Sequence, residues 1–301
     1  MAISRQQLAK ELEPGLNALF GLEYQNYENQ HTEIFDTETS DRAFEEEVML
    51  TGFANASVKA EGSAVSFDSA NESFTSRYTH ETIALAFSIT EEAIEDNLYD
   101  SIAKRYTKAL ARSMANTKQI KAANVLNNAF SSSSAGGDGK ELCATDHPTQ
   151  AGTFSNELAT SADLNETSLE QAMIDIAAFT DERGLKIAAR GVKMIIPSEL
   201  QFTAERLMKT ANRTGTADND INAIVSKGMI SGGYVVNNYL TDTDEFFIKT
   251  DVPNGLKMFQ RAALKTAMEG DFDTGNVRYK ARERYSFGFS DPRGIFGSPG
   301  A

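Results

Sequence analysis

The sequence predicts an α+β chain whose extensions have no core of their own, and three observations carry that prediction. Residues 90–130 contain neither Gly nor Pro and are mostly good helix formers. Residues 82–90 and 276–289 alternate side chains with period two, the mark of a half-buried strand. Residues 166–210 read as a helix, an apolar strand closed by Pro197, and a second helix, which argues for an α/β or α+β domain.

Taken in order, residues 1–50 look loosely organised. Leu8, Leu12, Leu16 and Leu19-Phe20 suit a short amphipathic helix broken at Pro14-Gly15. From Met49 to Ile89 the pattern turns β-like, with Gly52, Gly62, Asp68 and Asn71 as punctuation. Residues 54–71 are rich in Ala, Ser and Gly and hold too few large apolar groups for a compact core, so a protruding hairpin is expected. The strand at 82–90 sets Ile83, Leu85, Phe87 and Ile89 on one face.

The helix that follows has a capping-box form at Ser88-x-x-Glu91, with Thr90 as an alternative N-cap. Acids Glu91, Glu92, Glu95 and Asp96 precede bases such as Lys104, Arg112 and Lys121, an order that suits the helix dipole. Its apolar ridge, Ile94, Leu98, Ile102, Tyr106, Leu110 and Met114, advances four residues at a time. Such a ridge drifts roughly 40° per step, so different partners must cover it along its length. It reads as a spine.

Ser131 to Gly139 has the composition of a flexible linker, and residues 140–165 look irregular. After a helix over about 166–181, ended near Gly184, come the strand Val192-Lys-Met-Ile-Ile196 and a helix over 198–210. Further strands are expected at Tyr234-Val-Val, at Glu245-Phe-Phe-Ile-Lys249 and around Lys257-Met-Phe259. The last long strand sets Val277, Tyr279, Ala281 and Glu283 against a basic face of Arg278, Lys280, Arg282 and Arg284.

Composition narrows the function. A length of 301 residues, 41% hydrophobic and 24% charged, is ordinary globular usage and excludes a fibrous or disordered chain. No run approaches the roughly 20 apolar residues of a membrane span, and the start has no apolar leader, so no membrane partner is expected. The single Cys143 rules out an internal disulfide framework and fits a reducing compartment. A net charge of −14 argues against a surface built to grip phosphate backbones. The acid is uneven: residues 1–80 carry fourteen Asp/Glu against five Lys/Arg. That reads either as a solvated face or as an arm and loop that meet a basic surface on neighbouring subunits.

Chemistry is sparse. Cys143 and His147, four apart, could share a metal, but zinc needs three or four ligands, and His31 and His80 lie far away in sequence. Gly136-Gly-Asp-Gly-Lys140 lacks phosphate-loop spacing. Carboxylate pairs such as Asp271/Asp273 are ordinary in a chain with 43 acids. No catalytic residue, cofactor or metal is expected; the alternative is a soluble α+β enzyme with a site near Cys143 and His147.

Several blocks resemble one family in order and in register from about residue 80 onward. They are Ala109-Leu-Ala-Arg-Ser-Met-Ala-Asn-Thr-Lys118, Asp146-His-Pro148 with Gly152-Thr-Phe-Ser-Asn156, and Phe179-Thr-Asp-Glu-Arg-Gly-Leu185. Ile196-Pro-Ser-Glu-Leu-Gln-Phe-Thr-Ala-Glu-Arg206 and Gly215-Thr-Ala-Asp-Asn-Asp-Ile221 follow, then Met268 through Tyr285 and Ser290-Asp-Pro-Arg-Gly294. The family is the tailed-phage major capsid proteins of the Hong Kong ninety-seven-type fold, specifically the Mu-like major head subunit group.

The resemblance implies an N-terminal arm (1–49), an extended β loop (50–89), a peripheral domain (90–139 with 261–301) and an axial domain (140–260). It implies hexamers and pentamers of the chain closing an icosahedral shell around double-stranded DNA, assembled in a bacterial cytoplasm, with portal, scaffold and decoration proteins as partners. Some relatives crosslink an extended-loop lysine to a neighbour's asparagine; Lys59 is the only lysine of that loop here. Others carry an N-terminal scaffolding segment, for which this chain has no room ahead of its arm, so a separate scaffold is expected. Lys59, Arg278, Lys280, Arg282 and Arg284 are the candidate subunit-contact residues.

Overall fold

The computed structural model describes residues 5–90, 92, 99–212, 220–271 and 274–301. Helix α1 (Arg5–Gln25) runs unbroken through Pro14. This corrects the expected break. A proline in a helix interior costs about 3 kcal/mol, and burial of Leu16 and Phe20 against the spine, about 2 kcal/mol each, offsets it. A short turn, Gln30–Glu33, leads to strand β1 (Asp36–Thr39).

Strands β2 (Phe44–Leu50) and β3 (Glu72–Thr79) pair antiparallel and form the base of the extended hairpin. The hairpin therefore begins before residue 50, and the strand expected at 82–90 is not part of it. That strand, β4 (Glu81–Ile89), joins another sheet.

The spine, α2 (Tyr99–Asn127), follows. Ile94, Leu98 and the capping residue Glu91, together with Glu95 and Asp96, lie outside the described residues, as does the side chain of Ile102. Leu110 and Met114 pack with Leu16, Phe20, Ile89 and Tyr279. About two to four turns on, Ala122 and Leu126 pack instead with Ile34, Phe35, Ile195, Phe247 and Met258. The ridge meets two sets of partners, as its drift requires.

The Gly-rich run after the spine is not a loose linker. A Cβ at Gly136 would sit 2.5 Å from the Phe289 ring, and one at Gly137 would sit 2.6 Å from the Thr75 carbonyl oxygen. Glycine is needed here for close approach. Strands β5 (His147–Thr149) and β6 (Gly152–Phe154) form a small hairpin in the stretch that looked irregular.

Helix α3 (Glu166–Ala177) starts at a capping box made by Asn165 and Ser168 and ends before the expected residue 181. Strand β7 (Gly191–Ile196), helix α4 (Gln201–Lys209), helix α5 (Ala223–Lys227), strand β8 (Tyr234–Val236) and strand β9 (Phe246–Thr250) follow. Residues 215–219 of the motif ending at Ile221 lie outside the described residues.

The chain closes with β10 (Leu256–Gly270), β11 (Val277–Phe289) and β12 (Ile295–Ser298). Strand β10 runs 15 residues, far longer than its apolar start suggests. Register shifts at Gln260/Ala262 and Ala262/Lys265 interrupt its alternation and hide it from a period-two reading.

Two four-stranded sheets organise the molecule, in the orders β1-β10-β11-β4 and β12-β9-β7-β8. In the first, β1 runs parallel to β10 and the other neighbours are antiparallel. It backs onto α1 and α2. The second carries its own core, in which Met194, Ile196, Phe246, Ile248 and Phe296 meet Leu169, Ile176 and Ala204 of the helices. The C-terminal β12 belongs to this second sheet, so residues 261–301 serve both bodies.

Candidate assembly surfaces

The extended hairpin is fixed at its root and bare at its tip. At the root, Tyr78 is buried, meets the Phe259 ring edge-on at 4.8 Å and hydrogen-bonds Ser290 Oγ at 2.5 Å. His80 is held by Ser286 Oγ at 2.9 Å and Ser40 Oγ at 2.8 Å; burial, helped by the Arg284 charge, lowers its proton affinity. Beyond the Thr51–Asn71 hydrogen bonds, residues 52–71 form no strand. Asp68, paired with Arg183 at 3.2 Å, is a tether back to the body. Phe53, Val58, Val65 and Phe67 stand in solvent, Val58 at 100% and Phe67 at 98% exposure. Large apolar groups exposed to that degree mark surface meant for a partner. Lys59 lies beside Val58, also exposed.

The basic face predicted on β11 is present. Val277, Tyr279, Ala281, Glu283 and Tyr285 are buried, while Arg278, Lys280 and Arg282 are exposed and Arg284 is half-buried. Strand β10 adds Lys265 opposite Arg282, and β4 offers only Thr82, Ala84, Ala86 and Ser88 alongside. Arg278 pairs with Asp271 at 2.5 Å; Lys280, Arg282 and Lys265 make no ion pair among the described residues.

The acids of residues 1–80 are largely engaged inside the subunit, not with that face. Asp36 pairs with Lys249 at 2.9 Å, Glu38 with Lys257 at 3.0 Å and Glu23 with Lys108 at 3.5 Å. Glu33 meets Lys193, and Glu47 meets Lys257. Burial alone would depress the Lys257 ammonium, but hydrogen bonds from it to Glu47 and Glu38 carry it upward. Glu28, Asp41, Glu61 and Glu72 are left without an ion pair among the described residues.

Under the basic face lies a buried polar knot that the sequence did not reveal. Lys118 reaches Glu283 Oε2 at 3.3 Å, Tyr24 donates to the same oxygen at 3.5 Å, and Glu283 Oε1 has no partner. Burial pushes the Glu283 carboxyl up, and Lys118 opposes that shift. Next to it, the His31 ring bonds Gln119 at 3.0 Å; burial and the Lys118 charge bring it down to about 4.

Cys143 and His147 do not make a site. Cys143 is 1% exposed, and burial pushes its thiol well up, which denies it nucleophilic character. His147 faces Asp138 and Asn156 instead. Among the described residues no cluster of His, Cys, Asp and Glu suits a metal ion. A groove of about 740 Å³ beside β8 is lined by Glu28, Gln30, Gln201, Met208, Lys209, residues 230–236 and Asn238. It gathers no catalytic constellation.

A protein-family model described as phage capsid protein matches residues 72–297. The chain belongs to the phage capsid protein family. No curated protein matches it. Among solved structures, the capsid of the cyanophage P-SCSP1u is similar with a TM-score of 0.58 at 12% identity, over 89% of this chain and 86% of that one. A virus-like particle from Pyrococcus furiosus is similar with a TM-score of 0.53 at 12% identity, over 95% and 98%. The capsid of the Myoviridae phage XM1 is similar with a TM-score of 0.53 at 11% identity, over 89% of each chain.

The fold is thus of the Hong Kong ninety-seven type, and the role is structural: this is a major capsid protein. Bare apolar groups on a rooted hairpin, and a cationic sheet face on which Lys280 and Arg282 make no ion pair among the described residues, are surfaces left unsatisfied within the subunit. The first was legible as a core-less segment and the second as a period-two run of bases. The internal ion pairs were not, because they join residues distant in sequence, Glu33 to Lys193, Asp36 to Lys249 and Glu38 to Lys257 among them.

Proposed function

We propose that this capsid protein is the repeating subunit of a tailed, double-stranded DNA phage or prophage head, forming hexamers and pentamers that close an icosahedral shell. The observation that carries this reading is the exposed hairpin tip, whose Phe53, Val58, Val65 and Phe67 need a neighbour to leave water. Residues 1–49 act as the arm, the hairpin reaches across to the next subunit, the spine with the β1-β10-β11-β4 sheet forms the peripheral body, and the β12-β9-β7-β8 sheet forms the axial one.

Arg278, Lys280, Arg282 and Arg284 meet an acidic stretch of a neighbour, with Glu61 and Glu72 among the free acids available. Raised salt then slows early assembly; kinetics indifferent to salt count against that contact. Lys59 sits at the same tip, and boiled, reduced particles that run as one monomer band exclude a crosslink there. A scaffold, a portal and decoration proteins complete the head, which is built in the bacterial cytoplasm and holds DNA without reading its sequence; a net charge of −14 keeps the lining from gripping phosphate.

Electron microscopy and sedimentation of the purified chain test the reading. Capsomers or closed particles are expected. A protein that stays monomeric under every assembly condition overturns it.

A further inference from the structure

A cleft of about 270 Å³ opens at the root of the extended hairpin, between the end of β2 and the axial body. Leu50, Ile187 and Val252 give it apolar walls, and Leu50 and Ile187 are 65% and 36% exposed. Four carboxylates, Asp181, Glu182, Asp251 and Asp291, line it against the guanidinium of Arg293 alone.

Arg293 is already taken, by Glu182 at 2.8 Å and Asp291 at 3.3 Å. The other two acids are left over. Asp181 Oδ1 accepts the N–H groups of Arg183 and Leu185 at 2.9 and 2.8 Å, and Asp251 Oδ1 accepts that of Arg190 at 2.8 Å. These bonds hold both carboxylates in place, yet neither makes an ion pair among the described residues. The walls are held as well. Ser73 Oγ of β3 donates to Glu182 Oε2 at 3.3 Å, and Asp68 pairs with Arg183 at 3.2 Å, which ties the hairpin limb to the turn at 181–184. An apolar cleft with fixed, unanswered negative charge fits an aliphatic side chain next to a cation.

The hairpin tip carries that pair. Val58 is 100% exposed, and Lys59 beside it is the only base between Thr51 and Asn71. A subunit does not seat its own tip. Ser57 Oγ and Ser66 Oγ lie 3.0 Å apart, and the Ala54 N–H donates to Asp68 Oδ2 at 2.7 Å, so the two limbs run side by side away from the root. Val58, seven residues past Thr51, then stands on the order of 20 Å from the cleft.

We infer that the Val58–Lys59 tip of one copy seats in the root cleft of the next, with Val58 against Leu50, Ile187 and Val252 and the Lys59 ammonium between Asp181 and Asp251. The contact rests on the reading of the chain as a shell subunit, and it names the surface that receives the tip. It is heterologous: every copy gives a tip and offers a cleft, so it repeats from copy to copy and closes into a ring where the rotation allows. The two ends do different work. Apolar burial holds the tip, and the ammonium fixes which way it enters.

A pair of thiols tests the contact. Val58→Cys/Ile187→Cys replaces two exposed side chains, and the native Cys143 is buried and takes no part. Particles of this variant, oxidised and run without reductant, should give a ladder of covalently joined chains, whereas Val58→Cys alone goes no further than a dimer. Bands no larger than a dimer from closed double-variant particles overturn the contact and leave the shell reading standing. A wild-type chain that forms no particles overturns the shell reading and this contact with it. If the cysteine pair does not assemble, charge decides. Lys59→Glu should cut the yield of particles at least about tenfold at low salt, and Lys59→Glu/Asp251→Lys should bring it back to within about threefold of wild type. A double variant no better than Lys59→Glu contradicts the inference.

Discussion

The axial sheet and the extended hairpin are opposite solutions within one chain. Around β7 and β9, Met194, Ile196, Phe246 and Ile248 are fully buried, with helices α3 and α4 closing over them. In the hairpin beyond Thr51, apolar residues of similar size lie in water. The first region is folded for itself, and the second, on the proposed reading, for a neighbour. A shell subunit needs both, because a tip that satisfied itself would have nothing to offer the next copy.

The comparison can be broken from the inside out. Ile248→Asp should have the largest effect: a carboxylate with no counter-charge in that core costs several kcal/mol, and circular dichroism should show no folded subunit. Leu110→Asp in the spine should do the same. Asn156→Ala comes next, because it strips partners from buried carbonyls of Leu142, Pro292 and Ile295 at once. A loss of about 3 kcal/mol by denaturant melting is expected.

Acid acts at a third level, graded by pH. His31 is brought down to about 4 in the fold from an ordinary value of 6.5, so the folded state resists its protonation. Stability from this group is intact above the unfolded value and falls as pH drops from about 6.5 towards 4, by up to about 3 kcal/mol. His31→Gln should flatten that limb. Glu245 works in the other sense: burial, with Asp242 and Asp244 nearby, pushes it to about 8, so stability declines as pH climbs from 4.5 to 8. Glu245→Gln should stabilise the fold at about pH 8 by an amount on the order of 2 kcal/mol after allowance for solvent screening, read by denaturant melting.

The parts visible in the sequence were those whose pattern is local. Strand β4, strand β11 with its basic face, and Tyr234–Val236 follow from period-two alternation or a short apolar run flanked by breakers. What stayed hidden depends on distant partners. Helix α1 survives Pro14 because Leu16 and Phe20 find the spine. The Gly136–Gly139 run looks like a tether until Phe289 and Thr75 close on it. The acids of the first 80 residues suggested contacts between subunits, yet Lys193, Lys249 and Lys257 answer four of them, Glu33, Asp36, Glu38 and Glu47, within one chain. The exposed tip was predicted as a core-less hairpin, but its root at β2 and its anchors Tyr78 and His80 were not.

The division of labour between the two regions is tested most directly at the tip. A Val58→Asp/Phe67→Asp variant touches no buried group, so its subunits should melt within about 0.5 kcal/mol of wild type. Electron microscopy of the same preparation should show no closed particles. Wild-type particles formed by that variant would contradict the account, because the exposed hairpin would then not be what joins one subunit to the next.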